Sequence, residues 1–134
     1  MFIVTKKINF SYGHRLLNYD GKCKYLHGHN GKLEIDIASE TLDDRGMVMD
    51  FSDVKKIVKE WIDNNIDHKM LLRNDDPLLE YLKEKGEPIF IMEHNPTAEN
   101  IAKLIYDFMV SQRLPVQEVR LWETETSFAT YNNI

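Results

Sequence analysis

The sequence predicts an α+β fold of ββααββ order, a four-stranded antiparallel sheet with two helices on one face. Three observations lead there. Apolar and polar residues alternate with period two near both ends of the chain. Two segments between those ends switch to a helical period. Each of these helices has one apolar face, and one sheet face can cover both. With 134 residues, 43% of them apolar, the chain is expected to form one domain, 1–134, around one core.

Residues 2–10 alternate well enough for a first strand. Residues 32–39 alternate cleanly, with Leu33, Ile35 and Ile37 on one side and Glu34 and Asp36 on the other. A glycine-rich loop with Gly13, Gly21, Gly28 and Gly31 is expected between them. Asp43-Asp44-Arg45-Gly46 reads as a turn, after which residues 47–50 would extend the sheet. Val54, Ile57, Val58, Trp61 and Ile62 then recur at helical spacing over 52–64, with Asp50 or Ser52 as cap. Residues 67–95 are the least regular, with a short helix over 78–85 ended near Gly86 and Pro88. Asn95-Pro96-Thr97 opens a second long helix with apolar face Ile101, Leu104, Ile105, Phe108 and Met109. Residues 116–122 and 127–133 read as two closing strands. The uncovered sheet face and the two edges call for partners, so an oligomer closed into a barrel by edge pairing is expected.

The formal net charge of −5 leaves no basic surplus for nucleic-acid phosphates, although Lys22, Lys24 and Lys32 make a local cluster. The single cysteine cannot form an internal disulfide, which fits a reducing compartment. No apolar stretch approaches the roughly 20 residues that span a bilayer. The first residues lack the layout of a secretion signal. A cytoplasmic protein that binds neither nucleic acid nor membrane is the expectation.

The chemistry concentrates in His14 and in Cys23-Lys-Tyr-Leu-His27-Gly-His29. His27 and His29 are two apart, so an extended segment turns both rings to one face. His14 follows the first apolar run and can add a third ring from another strand. Three ligands with an open fourth position is the layout of catalytic zinc. A closed structural site with Cys23 as fourth ligand also fits the residue count, although structural sites commonly use more thiolates. A polar loop needing glycines for its turns is the bland alternative.

Cys23, between Lys22 and Lys24, is either a small hydrophobe or a thiol activated by positive charge. Asp67-His68 follows the first helix, and a carboxylate can orient an imidazole for proton transfer. Such a pair also ends helices by chance. His94 reads as a loop residue. Glu123 ends an apolar strand and could accept two N–H bonds from a guanine- or pterin-like edge, but spacing alone does not choose between it and Glu125.

These residues resemble the 6-pyruvoyltetrahydropterin synthase superfamily, in its bacterial 6-carboxytetrahydropterin synthase branch. The resemblance rests on six motifs in order: Gly13-His14-Arg15-Leu16, Cys23-x-x-x-His27-Gly28-His29, Gly46 to Phe51, Ile66-Asp67-His68, Asn95-Pro96-Thr97-Ala98-Glu99-Asn100 and Trp122-Glu123-Thr124. It implies the tunnelling fold, with subunits forming barrels, as a homohexamer of stacked trimers with sites between subunits. It implies Zn2+ on His14, His27 and His29, and Cys23 as the proton-abstracting thiolate with Asp67 and His68 as acid/base partners. Glu123 would anchor the pterin ring, with Thr97 or Ala98 beside it. The implied substrate is 7,8-dihydroneopterin triphosphate.

The implied products are 6-carboxytetrahydropterin, acetaldehyde and triphosphate, on the route to queuosine. A 6-pyruvoyltetrahydropterin synthase would share every named residue, and a non-catalytic zinc-stabilised binding module is the alternative of another class. Cys23 argues against the aldolase subgroup, which has an acidic residue there. Arg15, Lys22 and Lys24 could meet the triphosphate or remain solvated surface. The chain departs from the family pattern at Gly31, where an aromatic or larger residue is usual, and at Lys69-Met70-Leu71-Leu72. Residues 74–93 are also longer than in compact members and could form a flap or a subunit contact.

Overall fold

A computed structural model describes residues 1–134. In chain order the elements are β1 (Phe2–His14), β2 (His27–Ser39), α1 (Phe51–Asn65), β3 (Lys69–Arg73), α2 (Leu78–Glu84), β4 (Ile89–Met92), α3 (Ala98–Ser111), β5 (Val116–Thr124) and β6 (Ser127–Asn132). They build one six-stranded sheet of order β4-β3-β1-β2-β5-β6. The expected antiparallel partners are present: β1 with β2, β2 with β5, and β5 with β6.

The expected four-stranded, purely antiparallel sheet is corrected by the irregular stretch 67–95. It forms a β3-α2-β4 unit, and β3 pairs in parallel with both β1 and β4. The reason is visible in its residues. Met70-Leu71-Leu72 and Ile89-Phe90-Ile91-Met92 are short continuous apolar runs. Parallel strands read that way rather than as alternation. Residues 47–50 do not join the sheet. Asp43 instead accepts from the Arg45 and Met47 N–H groups (2.8 and 3.0 Å) and turns the chain. Asp50 then caps α1 by accepting from the Ser52 N–H at 2.8 Å.

The core lies between one sheet face and the two long helices. Even-numbered residues of β1 (Ile8, Phe10, Tyr12, His14) and odd-numbered residues of β2 (Leu33, Ile35, Ile37) point into it. Val119 and Leu121 continue that face on β5. Val54, Val58 and Ile62 of α1 and Ile101, Ala102, Ile105 and Met109 of α3 cover it. Leu104 and Phe108, expected on the α3 apolar face, flank the core half-buried, and Trp61 stacks on Phe108 at 4.9 Å. The opposite face is polar. There Arg120 bonds Glu34, Asp36 and Glu118, and Trp122 Nε1 donates to Glu34 at 2.9 Å.

Arg15 is not a free cation available to phosphate. Its Nε donates to Asp76 Oδ2 at 2.8 Å and a second nitrogen meets Oδ1, a forked pair in which the Asp76 side chain is fully buried. Asp76 Oδ1 also accepts from the Leu78 N–H at 2.8 Å, so the pair fastens the end of β1 to the start of α2. Burial alone would raise the Asp76 carboxyl. Arg15 and the Leu78 N–H outweigh it and hold that carboxyl below the usual carboxylate range. Asp76→Asn should therefore cost about 3 kcal/mol in urea unfolding near pH 7, because it leaves the guanidinium without its counter-charge. The wild type should lose that margin as pH falls through the depressed native pKa, where the unfolded chain takes up its proton first. A variant with unchanged urea midpoint would contradict this.

Candidate metal centre and active site

The β1–β2 ladder sets the three histidines. Its register pairs Tyr12 with His29 and His14 with His27, directly across the two strands. Period-two geometry turns all three imidazoles to the helix side of the sheet, at one end of the core. The expected glycine-rich loop is thereby corrected: the histidines stand on strands, and only residues 15–26 connect them. Their ring centroids are 4.5, 5.1 and 5.0 Å apart. One nitrogen from each ring falls within 4.8 Å of the others, a group that could hold a metal ion.

The tautomers favour a cation. His14 Nδ1 lies 2.6 Å from the Pro96 carbonyl, and His27 Nδ1 lies 2.7 Å from the Tyr25 carbonyl. A carbonyl oxygen only accepts, so both Nδ1 atoms carry the proton. Both Nε2 atoms then present lone pairs, and they face each other at 2.9 Å. Two opposed lone pairs at that distance need a positive charge between them. His29 Nε2 is buried and has no hydrogen-bond partner. Burial lowers the pKa of His14 against the opposing pull of the Pro96 carbonyl, and likewise lowers that of His29. Imidazoles whose second nitrogens are tied to carbonyls, as in His14 and His27, are oriented for metal ligation. The three histidines therefore fit a metal ion.

Asn95-Pro96-Thr97 has a bracing role beside this centre. Asn95 accepts from the Leu17 N–H at 2.9 Å and donates to the Leu17 carbonyl at 2.8 Å. This fixes the Pro96 carbonyl against His14. Thr97 caps α3, its hydroxyl accepting from the Asn100 N–H at 3.1 Å. Ala98, the residue after Thr97, shares a cleft of about 360 Å³ with Glu123 and Phe128.

Glu123 stands next to the histidines, with Oε1 3.3 Å from His29 Nε2. Glu125 sits in the β5–β6 turn, exposed. The end of β5 distinguishes them: Glu123 is still on the strand, two residues past the buried Leu121, whereas Glu125 lies beyond its last residue, Thr124.

Asp67 and His68 form a second group. Asp67 Oδ1 accepts from the Ser11 N–H at 2.9 Å, and Oδ2 accepts from His68 Nδ1 at 2.8 Å. The His68 N–H returns a bond to the Ser11 carbonyl at 2.7 Å. Burial alone would raise the Asp67 carboxyl, but the Ser11 N–H and His68 outweigh it and keep it low. His68 Nε2 is thus left as a base on a ring 79% exposed, at a left-handed φ of 57° that favours glycine. His68 lines a cleft of about 400 Å³ with Asn9, Ser11, Asn30 and Lys32, residues of the polar sheet face. Cys23 lies on a single 3-10 turn, Lys22–Lys24, half-buried with a free sulfur. The turn is tied to β1 by the Leu16 N–H, which donates to the Cys23 carbonyl at 2.8 Å. Within one chain no hydrogen bond or ion pair joins Cys23 to Asp67 or His68, and Cys23 is not in the metal-type group.

Two features escaped the sequence. The Pro96 and Tyr25 carbonyls that orient the imidazoles are backbone groups without a composition signal. Tyr12 is buried among the histidine rings, 5.3 Å from His14 and 5.7 Å from His29 by centroid. Carrying the Ile8–Phe10 alternation forward through Tyr12 to His14 would have found it.

Comparison with known proteins covers nearly the whole chain. The sequence model of the family described as 6-pyruvoyl tetrahydropterin synthase matches residues 3–133. A 6-carboxy-5,6,7,8-tetrahydropterin synthase of Rickettsia conorii is 41% identical over 135 residues, covering 96% of this chain and 98% of that protein. An uncharacterised Wolinella succinogenes protein of known crystal structure superposes with a TM-score of 0.82 at 26% identity, covering 99% of this chain and 98% of that one. The Caenorhabditis elegans 6-pyruvoyl tetrahydropterin synthase superposes with a TM-score of 0.72 at 26% identity, covering 100% and 98%. With sequence and backbone agreeing end to end, this chain belongs to the 6-pyruvoyl tetrahydropterin synthase family of pterin-synthesising enzymes.

Proposed function

We propose that residues 1–134 are a single tunnelling-fold domain, the protomer of a zinc-dependent 6-carboxy-5,6,7,8-tetrahydropterin synthase. It converts 7,8-dihydroneopterin triphosphate to 6-carboxytetrahydropterin, acetaldehyde and triphosphate, in cytoplasmic queuosine biosynthesis. The observation that carries this reading is the convergence of three metal-ready imidazoles beside the Glu123 carboxylate. The name of the 41% identical relative favours the carboxy product over the pyruvoyl one.

Glu123 accepts paired N–H bonds from the pterin ring and fixes its orientation. His14, His27 and His29 hold the zinc, which when bound supplies Lewis-acid polarisation of the substrate's side-chain oxygens. The Cys23 thiolate removes the side-chain proton. His68 Nε2 passes protons on, because Asp67 keeps the other ring nitrogen protonated. His68 lines one cleft with the polar sheet face and another, of about 500 Å³, with His27 and His29. That no bond joins Cys23 to Asp67 or His68 within one chain supports a site completed between subunits, in a homohexamer of two stacked trimers.

Zinc-loaded protein incubated with 7,8-dihydroneopterin triphosphate should release one acetaldehyde per pterin consumed, detected by mass spectrometry. Triphosphate without acetaldehyde would redirect the assignment to pyruvoyl chemistry. Neither product would leave the non-catalytic binding module.

A further inference from the structure

Tyr12 is 3% exposed, and its hydroxyl is buried with no hydrogen-bond partner. A phenol O–H so placed normally finds an acceptor, since leaving it unpaired costs about 1–3 kcal/mol. The ring is where it is because Gly31 leaves the space. A Cβ on Gly31 would come within 3.1 Å of Tyr12 Cε1 and 3.3 Å of Leu121 Cδ1. Tyr12 also stands directly opposite His29 in the ladder, with its ring packed against His29 and His14. Glu123 is the charged group that meets the same imidazole: Tyr12 packs its ring against His29, and the Glu123 carboxylate reaches His29 Nε2. The Glu123 carboxylate leans 3.3 Å from His29 Nε2, yet that nitrogen remains unpartnered. Two buried polar atoms without partners, His29 Nε2 and the Tyr12 hydroxyl, therefore belong to side chains packed together, and the Glu123 carboxylate reaches the first. Metal on the histidines satisfies the first and leaves the second in want of an acceptor.

We propose that Tyr12 is a positioning residue for Glu123: when the histidines hold a metal, the Tyr12 hydroxyl donates to the Glu123 carboxylate and keeps it off His29, turned to the pterin. This rests on the functional reading above for the pterin, but not for the Tyr12–Glu123 bond. A neutral phenol suits the task, because it fixes a carboxylate without neutralising it. Glu123 then keeps its charge for the ring N–H groups.

The test is Tyr12→Phe, which keeps the ring and removes only the oxygen, combined with Glu123→Ala. In zinc-loaded protein Tyr12→Phe should lower Tm by about 3 °C. In chelator-treated protein it should leave Tm unchanged or raise it. In the Glu123→Ala background the zinc-dependent loss should vanish. Zinc content should stay at the wild-type ratio, and the Kd for 7,8-dihydroneopterin, read by fluorescence, should rise about tenfold. Equal Tm shifts with and without zinc, a zinc-dependent loss that survives Glu123→Ala, or an unchanged Kd would each overturn the proposal. If the wild type binds no dihydroneopterin, the functional reading fails and the thermal cycle still decides the Tyr12–Glu123 bond.

Discussion

Cys23→Ala should fold, hold zinc at the wild-type ratio and lose turnover of 7,8-dihydroneopterin triphosphate by about 10³-fold. The geometry separates this from a structural role. The metal-type group consists of His14, His27 and His29 alone, and Cys23 contributes nothing to it. Its sulfur is free, and the turn that carries it is held by backbone bonds, Leu16 N–H to the Cys23 carbonyl and Tyr25 N–H to Lys22. Removing the sulfur therefore breaks no disulfide and no hydrogen bond. A zinc-stabilised binding module with a closed four-ligand site predicts the reverse: metal and thermal stability fall together in the variant. Metal analysis and a steady-state assay on one preparation distinguish the two. Turnover retained in Cys23→Ala would remove the thiolate from the mechanism.

His27→Ala should weaken zinc binding on the order of 10³-fold, about the share of one ligand in the binding free energy of such sites. His27 is the informative choice because it is half-buried at the sheet end, so its loss opens no core cavity. His14 and His29 are the members of the metal-type group whose pKa values burial depresses, so both stay neutral at pH 7 and protons would compete weakly with a metal. Zinc affinity should hold through neutral pH and fall in acid. The metal-free protein follows the same sign. Its unfolded chain takes up imidazole protons near pH 6.5, before the native one does, so stability drops as pH falls below that value. Competition with a chromogenic chelator across pH measures the first effect, and thermal melts of the chelated protein measure the second. Undiminished zinc affinity in His27→Ala would mean that the three rings do not share an ion.

Much of this centre was legible because strand geometry is simple. Two histidines two apart, and a third after an apolar run, converge once the segments are extended. Asp67-His68 was legible as a pair because adjacency and chemistry coincide there. Other features were hidden for physical reasons. Ser11 and Gly13 interrupt the apolar look of β1, so the strand seemed to stop at Phe10 and Tyr12 was passed over. β4 is wholly apolar and β3 is an apolar run, Met70 to Leu72, between Lys69 and Arg73, patterns that period-two reading misses. Charge alone left Arg15 between a phosphate contact and solvated surface, and only the fold brings Asp76 to it across 61 residues of sequence. Glu123 and Glu125 have the same chemistry, and only the point at which β5 ends distinguishes them.

The longest ladder in the sheet runs through thirteen consecutive rungs, from Phe2 with Ser39 to His14 with His27. A slip by a single rung would send the rings of one strand out to the polar side. An ion clasping the last rung therefore rewards only one alignment of the two strands, and acts as a proofreader of how this hairpin zips.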